Sequence, residues 1–101
     1  MRKAAVMVNN KLAGILLETD KGYEFEYEAD YSGDPVSLTM PTKGKKFIYK
    51  TFPPFFDGLL PEGQQLEGLL RQHKFDRSDY FSQLCAVGND LVGAVTVKEI
   101  K

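Results

Sequence analysis

The 101-residue chain has no tryptophan, one cysteine and one histidine, and these shortages exclude whole classes of chemistry. A single thiol cannot close an internal disulfide, so Cys85 fits a reducing compartment and the role of a small buried apolar residue. Zinc sites draw on clusters of three or four ligands, and beyond Cys85 the only nitrogen donor is His73, which is explained by a favourable dipole contact near a helix C-terminus. Long apolar runs are missing as well. After Arg2-Lys3 the stretch Ala4–Val8 is too short for a signal peptide, and nothing approaches the ~20 residues needed to cross a bilayer. A cytoplasmic location without membrane contact is the expectation. A net charge of −1 removes any general attraction to nucleic acid or anionic lipid. Phosphate-binding loops are absent too: around Gly44-Lys45 a P-loop would require glycine where Thr39 stands and a hydroxyl where Lys46 stands. Neither Gly-x-Gly-x-x-Gly nor Gly-x-Ser-x-Gly occurs. No cofactor, metal or catalytic residue is expected.

What is present describes a folded domain. A hydrophobic fraction of 43% and a charged fraction of 27% are ordinary for globular chains. The length suits one domain over residues 1–101, burying about 60–70% of the surface that the unfolded chain exposes. Two strand-like runs, Ala4–Val8 and Leu12–Leu17, flank Asn9-Asn10, and asparagine tolerates the positive φ of a tight hairpin turn. Thr19-Asp20-Lys21-Gly22 marks a second turn. Tyr23-Glu24-Phe25-Glu26-Tyr27-Glu28 alternates strictly, which puts three aromatics on one face of a strand and three glutamates on the other. Val36–Met40 alternates as well and reads as a fourth strand closed by Pro41; Phe47-Ile48-Tyr49 follows a lysine-rich loop.

After Pro53-Pro54 the pattern becomes helical. Pro54 suits a first helical turn, and Phe55, Phe56, Leu59 and Leu60 follow at helical spacing up to Pro61. From Glu62 to Lys74, Leu66, Leu69 and Leu70 form one narrow stripe. Ser78 is the candidate N-cap of a further helix carrying Phe81, Leu84 and Cys85, which Gly88-Asn89-Asp90 ends. Leu91–Val97 reads as a last strand. The sum is an α+β fold: a small antiparallel sheet of about five strands with two to three helices packed on one face.

Three groups invite a functional reading, and each has a plainer one. Glu24, Glu26 and Glu28 are explained as a solvated strand face that pairs with lysines on the next strand. Lys43, Lys45, Lys46 and Lys50, interleaved with Phe47 and Tyr49, have the composition of a nucleic-acid contact but also of a solvated turn, and no direct nucleic-acid binding is expected. Cys85 with His73 as a nucleophile pair conflicts with the position of Cys85 on an apolar helix stripe.

The helical half carries a resemblance. Phe55-Phe56-Asp57-Gly58-Leu59-Leu60-Pro61-Glu62-Gly63, then Asp79-Tyr80-Phe81, then Gly88-Asn89-Asp90-Leu91-Val92-Gly93-Ala94-Val95, preceded by Pro35–Pro41, is similar to the N-terminal subdomain of HipA-type serine/threonine kinases, the toxins of bacterial toxin–antitoxin systems. In those kinases the subdomain precedes several hundred residues that hold the ATP site. This chain begins with Met1 and stops at Lys101, which reads as a free-standing subdomain, the arrangement of the HipS type in tripartite systems. That likeness implies a non-enzymatic antitoxin that docks on the N-lobe of a HipA-like kinase toxin (HipT) near its ATP site. The alternatives are a subunit bridging the kinase to a DNA-bound HipB-type repressor, and an N-terminal piece of a longer kinase. Partner contact is expected at Phe52, Pro53, Pro54, Phe55, Glu62, Gly63 and Gln64, with aromatic anchors on a rigid turn. Phe56, Asp57, Leu60, Pro61, Gly88, Asp90, Gly93 and Ala94 are motif positions expected to serve structure, with Asp57 and Glu62 near helix starts. Many relatives place a large aromatic directly after the Pro-(Asp/Glu)-Gly turn. Here it is Gln64, so an inhibition that relies on such a ring is closed to this chain.

Overall fold

The computed structural model describes residues 1–44, 46–89, 91 and 94–100; Lys45 of the basic loop and the motif positions Asp90 and Gly93 lie outside the described residues. Five strands, β1 (Lys3–Val8), β2 (Lys11–Thr19), β3 (Gly22–Tyr27), β4 (Lys46–Tyr49) and β5 (Val95–Ile100), form one antiparallel sheet in the order β4-β3-β2-β1-β5. The first four strands form a meander, and the last returns to the free edge of β1. Asn9 and Asn10 sit at φ 52° and 67°, the left-handed pair that a two-residue hairpin turn requires. Between Val6 and Met7 the β1–β2 register slips, leaving one extra residue, Ala13, in β2.

Period-two alternation sorts the sheet into two faces. Ala4, Val6, Val8, Leu16, Phe25, Tyr27 and Val97 are buried on one face, while Glu26 and Lys98 stand exposed on the other. Glu24 on that second face pairs with Lys46 across to β4 at 3.0 Å, as the alternation of acid and aromatic implies. The buried face is covered by α1 (Pro54–Asp57) and α3 (Tyr80–Val87), whose Phe56, Phe81 and Leu84 complete the core. Between them runs α2 (Gly63–His73), which has no fully buried residue. Among the described residues no helix is long and apolar enough to cross a membrane.

Three local expectations are corrected. Residues 36–40 are a tight turn and not a strand: the Met40 N–H donates to the Ser37 carbonyl at 3.0 Å, and Ser37 Oγ lies 3.0 Å from Thr39 Oγ1. Serine and threonine hydroxyls compete for backbone partners and close the loop, while Leu38 points into solvent at 94% exposure. The ends of the turn are held by Tyr27, whose hydroxyl accepts from the Val36 N–H at 2.8 Å and donates to the Met40 carbonyl. The N-cap of α3 is Asp79, not Ser78, because the Asp79 carboxylate accepts from the Ser82 N–H at 3.3 Å and the Ser82 hydroxyl at 2.7 Å. The last strand begins at Val95 and runs to Ile100, later than the apolar run suggests.

Candidate functional site

The segment 51–64 is the densest in unusual residues, and its geometry follows from its prolines. Pro53, with ψ 131°, hands the chain to Pro54 at the first helical position, where a missing N–H costs nothing. One short helical turn follows, closed by the Asp57 and Gly58 N–H groups on the Pro53 and Pro54 carbonyls. Leu59 and Leu60 donate back to Phe56 and Asp57, and Pro61 prevents continuation. Gly63 restarts the helix at φ 60° with open space around it, so its role is backbone conformation alone.

These positions divide into a core part and a surface part. Phe52 and Pro53, expected to face a partner, are buried. The Phe52 ring packs edge-on to Tyr23 at 5.1 Å and tilted on Tyr80 at 5.6 Å, closing the end of the aromatic row begun by β3. Phe56 is fully buried against Phe25, and Phe55 meets Phe56 edge-on at 5.2 Å while remaining half-buried. Leu59 and Leu60 are half-buried on the core margin. Pro54, Asp57, Glu62, Gly63 and Gln64 are exposed. Asp57 closes α1 rather than opening a longer helix, and Glu62 takes the N-cap position of α2 without a side-chain capping bond. Ala94 is exposed, and its carbonyl receives the Asn9 N–H at 3.0 Å, tying the β1–β2 turn to the approach of β5.

Of these exposed positions, Asp57 and Glu62 border a groove of about 220 Å³. Asp57, Leu60, Pro61 and Glu62 line one side, and Leu66, Arg77, Tyr80 and Gln83 the other. Its floor is rigid. Gln83 is buried, and its amide nitrogen donates to the Asp76 and Arg77 carbonyls at 3.3 and 3.0 Å. Arg77 pairs with Glu67, fixing the α2–α3 connection. The groove therefore offers a slot of mixed character, with Leu60, Pro61 and Leu66 beside both charge signs, suited to seating a side chain or loop. It holds no nucleophile beside a base.

Two features escaped the sequence reading. Arg2 donates to Glu18 through Nε and Nη2, both at 2.7 Å, to Asp79 at 2.9 and 3.3 Å, and to Ser82 Oγ at 2.7 Å. Its guanidinium also lies 4.8 Å above the Phe81 ring. Arg2 hydrogen bonding, against some cost of burial, holds Glu18 below the usual carboxylate range. Burial alone would raise Asp79, but hydrogen bonds from Arg2 and Ser82 outweigh it and its carboxyl is lowered too. Gln83 is the second feature, because a polar residue on an apolar stripe reads as a surface position. Among the groups that were singled out, burial pushes the Cys85 thiol up to about 12, so it is not a nucleophile near neutral pH. His73 stacks on Phe75 at 5.0 Å. Lys46 is engaged by Glu24. No three of the described His, Cys, Asp and Glu residues could together hold a metal ion.

A family model for the HipA N-terminal domain matches residues 4–98, nearly the whole chain. The chain belongs to the HipA N-terminal domain family. A solved "N-terminal domain of HipA toxin" superposes with a TM-score of 0.80 at 29% identity, covering 100% of this chain and 94% of that one. An uncharacterised protein of Haemophilus influenzae (strain ATCC 51907 / DSM 11121 / KW20 / Rd) is 34% identical over 101 residues, which is 100% of this chain and 95% of that protein. The α+β architecture read from the sequence is thus the architecture of HipA N-terminal domains. The motif positions named above fall in the core (Phe56), on its margin (Leu60) and at the α1–α2 turn (Pro61), with Gly88 at the α3–β5 junction.

Proposed function

We propose that this chain is a HipS-type antitoxin: a single non-enzymatic domain that works in the cytoplasm, binding a HipA-like serine/threonine kinase and neutralising it. The observation that carries the reading is the match to a HipA N-terminal domain over residues 4–98. The Haemophilus influenzae relative adds support, since that protein is scarcely longer than the aligned stretch. Docking uses the groove, which Leu60, Glu62 and Leu66 line, together with a rim formed by Pro54, the half-buried Phe55, Gly63 and Gln64 of the same 51–64 segment. Phe52 and Pro53 act from within by stiffening this rim, which lowers the entropy lost on binding.

Because Gln64 is not a large aromatic, affinity rests on the slot and its charged mouth rather than on one inserted ring. The test is co-expression with a HipA-like kinase toxin encoded beside this chain. The expected result is growth rescue together with a co-purifying complex, and loss of both on replacing Leu66 with aspartate. Binding without rescue would replace the antitoxin reading by that of a bridging subunit. Neither binding nor rescue would leave only a shared fold.

A further inference from the structure

The sheet face opposite the helices carries an ordered pattern that the kinase reading does not use. One register row crosses all five strands in the order Ile48, Glu24, Leu17, Lys3, Ile100. It reads apolar, acidic, apolar, basic, apolar. Such a row is complementary to itself. Turned about a twofold axis running along β2 and laid face to face, it sets Ile48 on Ile100, Glu24 on Lys3, and Leu17 on Leu17. We propose that this face is a self-association surface that joins two copies of the chain, sheet on sheet, with a twofold axis at Leu17.

The next row, two residues along, keeps only the apolar part of this match. It runs Lys46, Glu26, Ile15, Ala5, Lys98. Lys46 is already bound to Glu24 of its own chain at 3.0 Å. The same rotation sets Ile15 on Ile15, Glu26 on Ala5 and Lys46 on Lys98, so this row adds an apolar contact at the axis and the charge match rests on Glu24 and Lys3. The outer apolar members are open, with Ile48 at 73% and Ile100 at 43% exposure, while Leu17 and Ile15 at the axis are half-buried. Between them Lys3, Ile15, Leu17, Glu24, Glu26 and Ile100 enclose a shallow concavity that opposing side chains can enter. Packed sheets lie about 10 Å apart with strands within about 30° of each other, which suits two copies of one twisted face. Isologous contact of this kind needs one patch that matches itself, which is what the row provides.

Five strands spaced about 4.8 Å apart and two rows make a footprint of roughly 300 Å² per chain, against about 800 Å² in a standard interface. Self-association is therefore weak, on the order of tens to hundreds of micromolar. Nucleic acid is disfavoured as the occupant, because Glu24 and Glu26 sit in the middle of the patch.

The experiment is sedimentation velocity on the full chain from low micromolar to about 500 µM, within the weak-interface range. The wild type is expected to pass from monomer to dimer, and Leu17→Arg to stay monomeric. Lys3→Glu alone and Glu24→Lys alone should each be monomeric, since each puts like charges in contact. Mixed one to one they should form a heterodimer, because both cross-pairs are then restored. Circular dichroism verifies that each variant is folded. If Leu17→Arg unfolds, Ile48→Lys at its 73%-exposed edge position carries the same test. A wild type monomeric at the highest concentration overturns the proposal, as do a dimer untouched by these substitutions and single mutants that fail to pair when mixed.

Discussion

Arg2 joins the start of β1 to β2 and to α3 because a guanidinium carries five N–H donors in a fixed fork. The Arg2 and Glu18 side chains remain 35% and 29% exposed, so screening by water reduces the value of the cluster. Arg2→Ala is expected to cost about 2 kcal/mol, since it also leaves two partly covered carboxylates without a cation. Arg2→Lys should recover only part, because an ammonium cannot make the forked contacts. The pH dependence follows from the directions of the shifts. Glu18 and Asp79 are lowered when folded, so their contribution is complete above the ordinary carboxylate range and disappears as acid protonates them in the folded state. Urea melts of wild type and Arg2→Ala should differ near neutral pH and converge in acid; a gap independent of pH would remove the ion pairs from the explanation. Gly88 acts through space alone. A Cβ there would lie 1.8 Å from the Val97 carbonyl oxygen, and the Val97 N–H donates to the Gly88 carbonyl at 3.1 Å. Gly88→Ala must therefore push α3 off β5 and is expected to cost roughly 1–3 kcal/mol. A thermal melt reads this as about 4–8 °C for each kcal/mol.

Among the α-helices α2 differs from the other two, since Leu66, Leu69 and Leu70 are only half-covered and none of its residues is fully buried. Its first turn is closed by the Leu66 N–H on the Glu62 carbonyl at 3.4 Å, and its middle is tied to the α2–α3 connection by the pairing of Glu67 with Arg77. Few buried contacts mean low local stability. Hydrogen exchange should thus be faster in 66–73 than in α3, and a bound kinase should slow it; equal protection in the free protein would contradict the placement of this helix. The existence of α2 was legible because its leucines repeat at three and four residues, yet that spacing does not say what covers the stripe. Strands β1 to β3 were legible for a stronger reason: alternation with asparagine or glycine turns leaves one register that buries Phe25 and exposes Glu26. Val36–Met40 alternates equally well and still failed as a strand, because Ser37 and Thr39 close a turn and Tyr27 holds both ends. The end of that row was misread too. Phe52 looks like a surface anchor beside Pro53-Pro54, but the space between Tyr23 and Tyr80 can be filled only by a ring that is distant in sequence. The Arg2 cluster was invisible for the same reason, as it joins residues 16 and 77 positions apart.

For the molecule as a whole, the two proposed surfaces lie on opposite sides of one sheet, and that separation can itself be measured. The groove belongs to the helical layer, whereas Leu17, Lys3 and Glu24 belong to the bare face, and Leu16 and Phe25 fill the layer between them. Substitutions this far apart and without shared partners act additively. Leu66→Asp, which puts a third carboxylate beside Asp57 and Glu62 in place of an apolar contact, should weaken kinase binding by about 2 kcal/mol or more, roughly thirtyfold, and leave self-association unchanged. Leu17→Arg should abolish the dimer and leave the affinity for kinase within about twofold, as expected of independent sites. The double variant should show both losses at their single-variant size. Calorimetric titration against the kinase, paired with sedimentation of the free chain, reads the two quantities separately. Were Leu17→Arg to weaken kinase binding as strongly as Leu66→Asp does, the bare sheet face would belong to the kinase interface, and the second copy would lose its place there.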